Sequence, residues 1–94
     1  MAVTVNFIGA FRTISGRDKI AIKIKGTMPL KEVVKKMIEK VPALKRALVD
    51  SELEDPRPNA LILVNGKEIS VLNGLETLVK DSDEIVLVPV IHGG

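Results

Sequence analysis

The residues of this chain best placed to do chemistry are its last three, His92-Gly93-Gly94. At an average glycine usage of about 7%, two terminal glycines arise by chance about 0.5% of the time, so the ending asks for a reason. Glycine lacks Cβ, and a tail built from it can thread a channel that any side chain would block. What such a tail delivers is its own terminal carboxylate. A carboxylate at neutral pH is a poor electrophile, but coupled to AMP it becomes a mixed anhydride, and a sulfur or amine nucleophile can then displace the AMP. This route needs no catalytic side chain from the protein itself: Gly94, with Gly93 behind it, is the activated end. His92 has no carboxylate beside it in sequence to position it as a base, and reads as a tail residue touching the enzyme that activates the terminus.

Other groupings are weaker. Asp81, Asp83 and Glu84 stand close together, but the calcium-loop pattern needs a glycine and a glutamate at fixed later positions that are missing. They read as a capping, solvated turn. Lys31, Lys35, Lys36 and Lys40, with Lys45 and Arg46, form a basic helix face interrupted by Glu32 and Glu39. It is a solvated face first and a docking surface second. With no Cys and one His, thiolate catalysis, disulfides and cysteine-based zinc sites are excluded, and no metal site or bound cofactor is expected.

These groups sit on a chain of 94 residues with a formal net charge of +2, a length that fits one domain, residues 1–94, and leaves no room for a second. Two Phe, no Trp and no Tyr give an aliphatic core and almost no platform on which to stack nucleic-acid bases. The small charge excess does not mark a phosphate-tracking surface, so no direct nucleic-acid partner is expected. The start lacks a basic leader, and no apolar run approaches the roughly 18 residues of a membrane span. A cytoplasmic protein with no membrane partner is the reading.

Along the chain, Val3, Val5 and Phe7 alternate with polar residues and predict a strand over 2–8. Gly9 to Gly16 reads as punctuation, and Ile20, Ile22 and Ile24 alternate with lysines as the second arm of a hairpin. Leu30, Val33, Val34, Met37, Ile38 and Val41 recur at helical spacing, ending at Pro42, and Leu44 with Leu48 adds a short helical piece. Residues 50–59 form a polar loop. Ala60 to Val64 is an apolar strand, Asn65-Gly66 a hairpin turn, and Lys67 to Val71 the returning strand. Leu75 to Lys80 predicts a short turn of helix, and Ile85 to Val90 a last strand. The result is an α+β fold in which one sheet wraps one main helix. A single helix covers one face of a sheet, yet the third and fifth strands are apolar on both. Ile8, Leu61, Leu63 and Val88 are therefore candidates for an exposed, partner-binding patch.

The order of elements, Asp81-Ser82-Asp83-Glu84-Ile85 leading into the last strand, Pro89 within it and the Gly93-Gly94 end together resemble the MoaD and ThiS sulfur carriers, β-grasp relatives of ubiquitin. Arg57-Pro58-Asn59-Ala60-Leu61-Ile62-Leu63-Val64-Asn65 with His92-Gly93-Gly94 is similar to their ubiquitin-related modifier branch. The resemblance implies a mixed sheet of about five strands, closed by parallel pairing of the first and last, and a tail over 91–94. It also implies that a ubiquitin-activating-type adenylating enzyme, using ATP and magnesium, activates Gly94, and that a sulfurtransferase supplies sulfur to make a thiocarboxylate. The sulfur would pass to a tRNA thiolation enzyme or to molybdopterin, and the end could be joined to lysines. Two alternatives stand beside this: a dedicated small subunit seated in a molybdopterin synthase large subunit, and a β-grasp interaction module with an inert tail.

Overall fold

The computed structural model describes residues 1–48, 56 and 59–90. Strand β1 (Ala2–Phe7) alternates half-buried and buried residues as its sequence does, and β2 (Lys19–Lys23) alternates exposed lysine or alanine with buried isoleucine. They pair antiparallel, Val5 opposite Ile20 and Val3 opposite Ile22. Further elements follow in chain order: β3 (Met28–Pro29), α2 (Leu30–Lys40), α3 (Leu44–Leu48), β4 (Ala60–Val64), β5 (Lys67–Glu68), β6 (Leu78–Val79) and β7 (Glu84–Pro89), with α1 (Ala10–Ser15) between β1 and β2. The main sheet runs β2-β1-β7-β4-β5, and β3 with β6 forms a separate two-stranded ribbon. At the centre β1 and β7 are parallel, Val5 beside Ile85 and Phe7 beside Leu87, while β4 flanks β7 antiparallel. This is the β-grasp arrangement: a mixed five-stranded sheet holding one main helix.

Helix α2 buries Leu30, Val33, Val34 and Met37 on the sheet and turns its lysines outward. No side chain caps its start. Instead the Leu30 amide donates to the Thr77 carbonyl at 2.8 Å, and Glu32 places negative charge in the first turn, where it meets the positive end of the helix dipole. The β3–β6 ribbon brings Thr77 there, and Lys31 ties the helix to the same segment through Glu76 at 2.7 Å. The helix stops at Lys40, with the Val41 amide donating to the Met37 carbonyl just before Pro42, which has no amide to continue the ladder. The core is aliphatic apart from Phe7 and Phe11.

Three expectations needed correction. The stretch from Gly9 to Gly16 is not only punctuation, because it holds α1, which buries Phe11 and lies against α3 and β7. Six residues are too few to show a helical period, and the flanking glycines looked like loop. Gly9 sits at φ 57, ψ −129 and Gly16 in the left-handed region at φ 71, conformations glycine takes without strain. The returning strand ends after Glu68, and Ile69–Val71 is a 3₁₀ turn. The Glu68 carboxylate accepts from the Ser70 amide, and this local bond wins over continued pairing while Ile69 drops into the core. Finally, the helical turn expected over Leu75 to Lys80 is a 3₁₀ turn at Gly74–Glu76 followed by β6.

Asn65 and Gly66, at φ 49 and 83, make the type I′ turn that the Asn-Gly pair signals. Asn65 also reaches across to the turn before β7, donating to Asp83 Oδ1 at 3.0 Å and accepting from the Glu84 amide at 2.9 Å. Burial alone would raise the Asp83 pKa, but hydrogen bonds from Asn65 and from the Lys80 amide, with the Lys80 charge, outweigh it and hold the carboxyl below its ordinary value of 3.8. A depressed carboxyl pKa stabilises the fold fully above the unfolded-state value, and that contribution is lost as pH falls through the folded-state value. Asp83→Asn is therefore expected to cost about 1–3 kcal/mol at pH 7, with the gap from wild type in urea unfolding closing as pH drops below about 4. A gap that stays constant to pH 2 would contradict the charge argument. Phe11→Ala is expected to lower stability by about 3–5 kcal/mol, read by the same unfolding assay; a loss below about 1 kcal/mol would mean that α1 does not seal the core.

Candidate functional site

The sheet face opposite α2 has no helix on it among the described residues. Its side chains are those whose neighbours along each strand point into the core: Thr4, Asn6 and Ile8 from the β1 side, Glu84, Val86 and Val88 from β7, Leu61 and Leu63 from β4. Strand register then gathers the apolar ones. Leu61 lies opposite Val88 and Leu63 opposite Val86. The Ile8 amide donates to the Leu87 carbonyl at 3.1 Å, continuing the parallel ladder and setting Ile8 alongside Val88.

All four body residues singled out from sequence thus meet on one surface. Ile8 is 45% and Leu61 39% exposed, while Leu63 and Val88 are half-buried. The partition of strands β4 and β7 into faces is settled as well: Ala60, Ile62, Val64, Ile85 and Leu87 go to the core. The sequence groups Val86, Val88 and Val90 on one face of the last strand without saying which face is exposed, and of the three only Val88 is named above as a candidate. Val86 is half-buried between Leu63 and Asn6, and Val90 is 40% exposed. Their even parity with Val88 was the signal available, since side chains two apart share a face.

The patch has a direction. Towards the N-terminal end of β7 it gives way to Thr4, Glu84 and Asn6, and it is most apolar where β7 ends, around Ile8, Leu61, Val88 and Val90. There the Val90 amide donates to the Asn59 carbonyl at 3.1 Å, so the chain leaves the sheet from within the patch. On the opposite side of the strand Pro89 packs against Gly9, where an added Cβ would lie 3.4 Å from its ring. His92, Gly93 and Gly94, named from sequence as the contact residue and the activated end, lie outside the described residues, as do Arg57 and Pro58.

Beside the patch runs a cleft of about 160 Å³ lined in part by Leu61, Ile69, Ser70 and Val90, well under the roughly 300–1,000 Å³ of small-molecule sites. Among the described residues no cluster of three or more His, Asp or Glu is placed to hold a metal, and no helix is long and apolar enough to cross a membrane. Asp81 and Asp83 serve the fold. Asp81 Oδ1 accepts from the Ala2 amide at 2.8 Å, anchoring the start of β1 to the turn before β7. The exposed Glu68 carboxyl is held below its ordinary range by the Ser70 hydrogen bond, and Lys31 is raised by its bond to Glu76. Both are local capping and pairing effects; the first lies on the wall of the cleft beside Leu61 and Val90, the second at the start of α2. The site is an apolar surface at the end of β7, and its polar groups build the scaffold.

Comparison with known proteins agrees with this geometry. The pattern of the ThiS family matches residues 5–94. The chain is 23% identical over its full length to small archaeal modifier protein 3 of Haloferax volcanii, covering 100% of each. Among solved structures it resembles small archaeal modifier protein 1 from Methanosarcina acetivorans, with 32% identity, a TM-score of 0.85, and 99% and 96% of the two chains covered. It also shares the fold of Urm1 from Trypanosoma brucei, at 24% identity and a TM-score of 0.80 over 99% and 95% of the chains. With its mixed sheet, its single long helix and a family match running to the last glycine, the chain belongs to the ThiS family of small ubiquitin-like sulfur carriers and modifiers.

Proposed function

We propose that this protein is the substrate of an adenylating enzyme, which docks on the apolar open face and activates the carboxyl of Gly94. The observation that carries the reading is where β7 ends: the last described residue, Val90, stands at the apolar end of the face with Ile8, Leu61 and Val88, four residues before Gly94. A partner that covers this surface receives the tail along with it. Body and tail then have separate work. The face supplies binding energy at about 25 cal/mol per Å² of apolar area covered, and Gly93-Gly94 supplies a thin, side-chain-free end that reaches the partner's nucleotide.

In that partner ATP and magnesium convert the carboxylate to an acyl-adenylate with loss of pyrophosphate. Sulfide displaces AMP and leaves a thiocarboxylate directly; where the donor is a sulfurtransferase persulfide, its outer sulfur displaces AMP to give an acyl disulfide, and a thiol then cleaves the S–S bond, releasing the thiocarboxylate and being oxidised to a disulfide. This sulfur serves tRNA thiolation or molybdopterin synthesis, and an amine in place of sulfur would yield a lysine conjugate. No group of the described body is needed for these steps beyond holding the partner.

Incubation with a cognate activating enzyme, ATP and a sulfur donor is expected to raise the intact mass by about 16 Da, the exchange of one oxygen for sulfur at an activated acyl group. Deletion of Gly94 is expected to abolish the shift and leave the melting temperature unchanged, because the tail lies beyond the last strand. An unshifted mass in the intact chain would favour an inert interaction module, and co-purification with a molybdopterin synthase large subunit would favour a dedicated small subunit. Val88→Asp places a charge in the patch and is expected to weaken binding to the activating enzyme by at least about tenfold, as loss of an interface anchor does, while the fold is retained. Binding titrations on folded variant check it, and wild-type affinity would remove the open face from the reading.

A further inference from the structure

The charges of this chain are sharply divided. Residues 1–48 hold eleven Lys and Arg against three Asp and Glu, while residues 49–94 hold three against nine. The fold gathers part of the basic half at one sheet edge. Strand β2, with Lys19 and Lys23, is the outer strand at one edge of the sheet, and Lys25 follows it, whereas β5, the outer strand at the other edge, carries one residue of each sign, Lys67 and Glu68.

The basic edge also carries unused backbone. The Phe7 amide donates to the Asp18 carbonyl and the Ile24 amide to the Met1 carbonyl. With the register of β1 and β2, this makes Ile20 and Ile22 the residues that exchange hydrogen bonds with β1, because bonded pairs alternate in an antiparallel ladder. Lys19, Ala21 and Lys23 therefore direct their amides and carbonyls away from the sheet. Among the described residues no backbone group pairs with them, and the one contact is Lys40 Nζ to the Ala21 carbonyl at 3.4 Å. That contact brings one ammonium group of α2 to the same edge, and Lys36 lies one turn earlier on the same stripe of the helix. No ion pair to Lys19, Lys23, Lys36 or Lys40 is present among the described residues.

We propose that the β2 edge is a second docking site, separate from the open face, which receives an extended acidic segment of a partner protein as a sixth strand. Backbone bonds to Lys19, Ala21 and Lys23 hold the segment. Acidic side chains on one face of it meet Lys19 and Lys23, and residues on the other meet the α2 rim at Lys36 and Lys40. Charge excludes the commonest alternative for an unpaired edge: two β2 strands from two copies would bring lysine against lysine, the device by which edge strands avoid self-pairing. An acidic guest turns that same repulsion into selectivity. The unsatisfied strand backbone favours a peptide over nucleic acid, which would use the lysines and leave the amides unused.

The test uses the full chain and the peptide Ac-Glu-Val-Glu-Val-Glu-amide, followed by amide chemical shifts and fluorescence anisotropy. Binding is expected to shift Lys19, Ala21 and Lys23, to weaken at high salt, and to fall at least about tenfold in the folded double variant Lys19→Glu, Lys23→Glu. The Lys-Val-Lys-Val-Lys counterpart is expected not to bind. N-methylation of one alternate set of peptide amides is expected to abolish binding and of the other set to leave it intact. Equal tolerance of both methylated peptides would reduce the site to bulk charge and overturn the proposal. So would tighter competition by an oligouridylate for the same amides, or concentration-dependent shifts there without peptide, which would indicate self-pairing. Removing residues 91–94 is expected to leave peptide binding unchanged, so the result stands apart from activation of the tail.

Discussion

The parallel contact between β1 and β7 is the constraint from which the rest of the molecule follows. It joins the first strand to the last at the centre of the sheet, where Val5, Phe7, Ile85 and Leu87 are almost wholly buried. A parallel pair cannot be closed by a tight turn, so everything between Phe7 and Glu84 acts as one long crossover, and α2 is the part of it that covers the inner face. The two strands flanking this pair, β2 and β4, then add antiparallel. Small polar contacts fix the register at the ends: Ala2 to Asp81, Thr4 to the Asp83 carbonyl, and Asn65 to Asp83 and Glu84.

That central pair also explains why the face away from α2 is apolar at one end. β1 contributes Ile8 and β7 contributes Val86 and Val88 to the same side because parallel register aligns their parity, and β4 adds Leu61 and Leu63. Towards the other end, Thr4 and Glu84 take the same positions and the face turns polar. Polarity is thus graded along the strands, and the apolar end coincides with the chain's exit at Val90.

Much of this was legible in the sequence, for physical reasons that differ by element. The strands at Val3-Val5-Phe7 and Ile20-Ile22-Ile24 and the helix at Leu30 to Lys40 declare themselves because one face of each is buried and the other solvated. Strands β4 and β7 are apolar on both faces, so periodicity alone left their orientation open, and the register with β1 decides it. Parallel pairing of the ends came from family resemblance, as no local pattern encodes which distant strands meet. Helix α1 and the 3₁₀ turn at Ile69 were hidden because each is set by one anchoring contact, Phe11 in the core and Glu68 on the Ser70 amide, in fewer residues than a period needs. Gly93 and Gly94 are conspicuous by composition, whereas parity groups Val86 and Val90 with Val88 but only the register of the assembled sheet decides that this set faces outward.

The position of β7 between β1 and β4 has a consequence for how the chain comes into being. Neither neighbour has a complete partner, and Val3, Val5 and Ile62 lack their cover, until residues 84–89 are in place. Contacts that span most of the chain make such topologies late to close, so a polypeptide still under synthesis has no finished core to retain. The same event that completes the interior also creates the surface of Ile8, Leu61 and Val88, since two of those three residues adjoin only through β7. On the proposed reading, in which a partner docks on this face, the surface it meets exists only in chains whose final strand has been made and inserted.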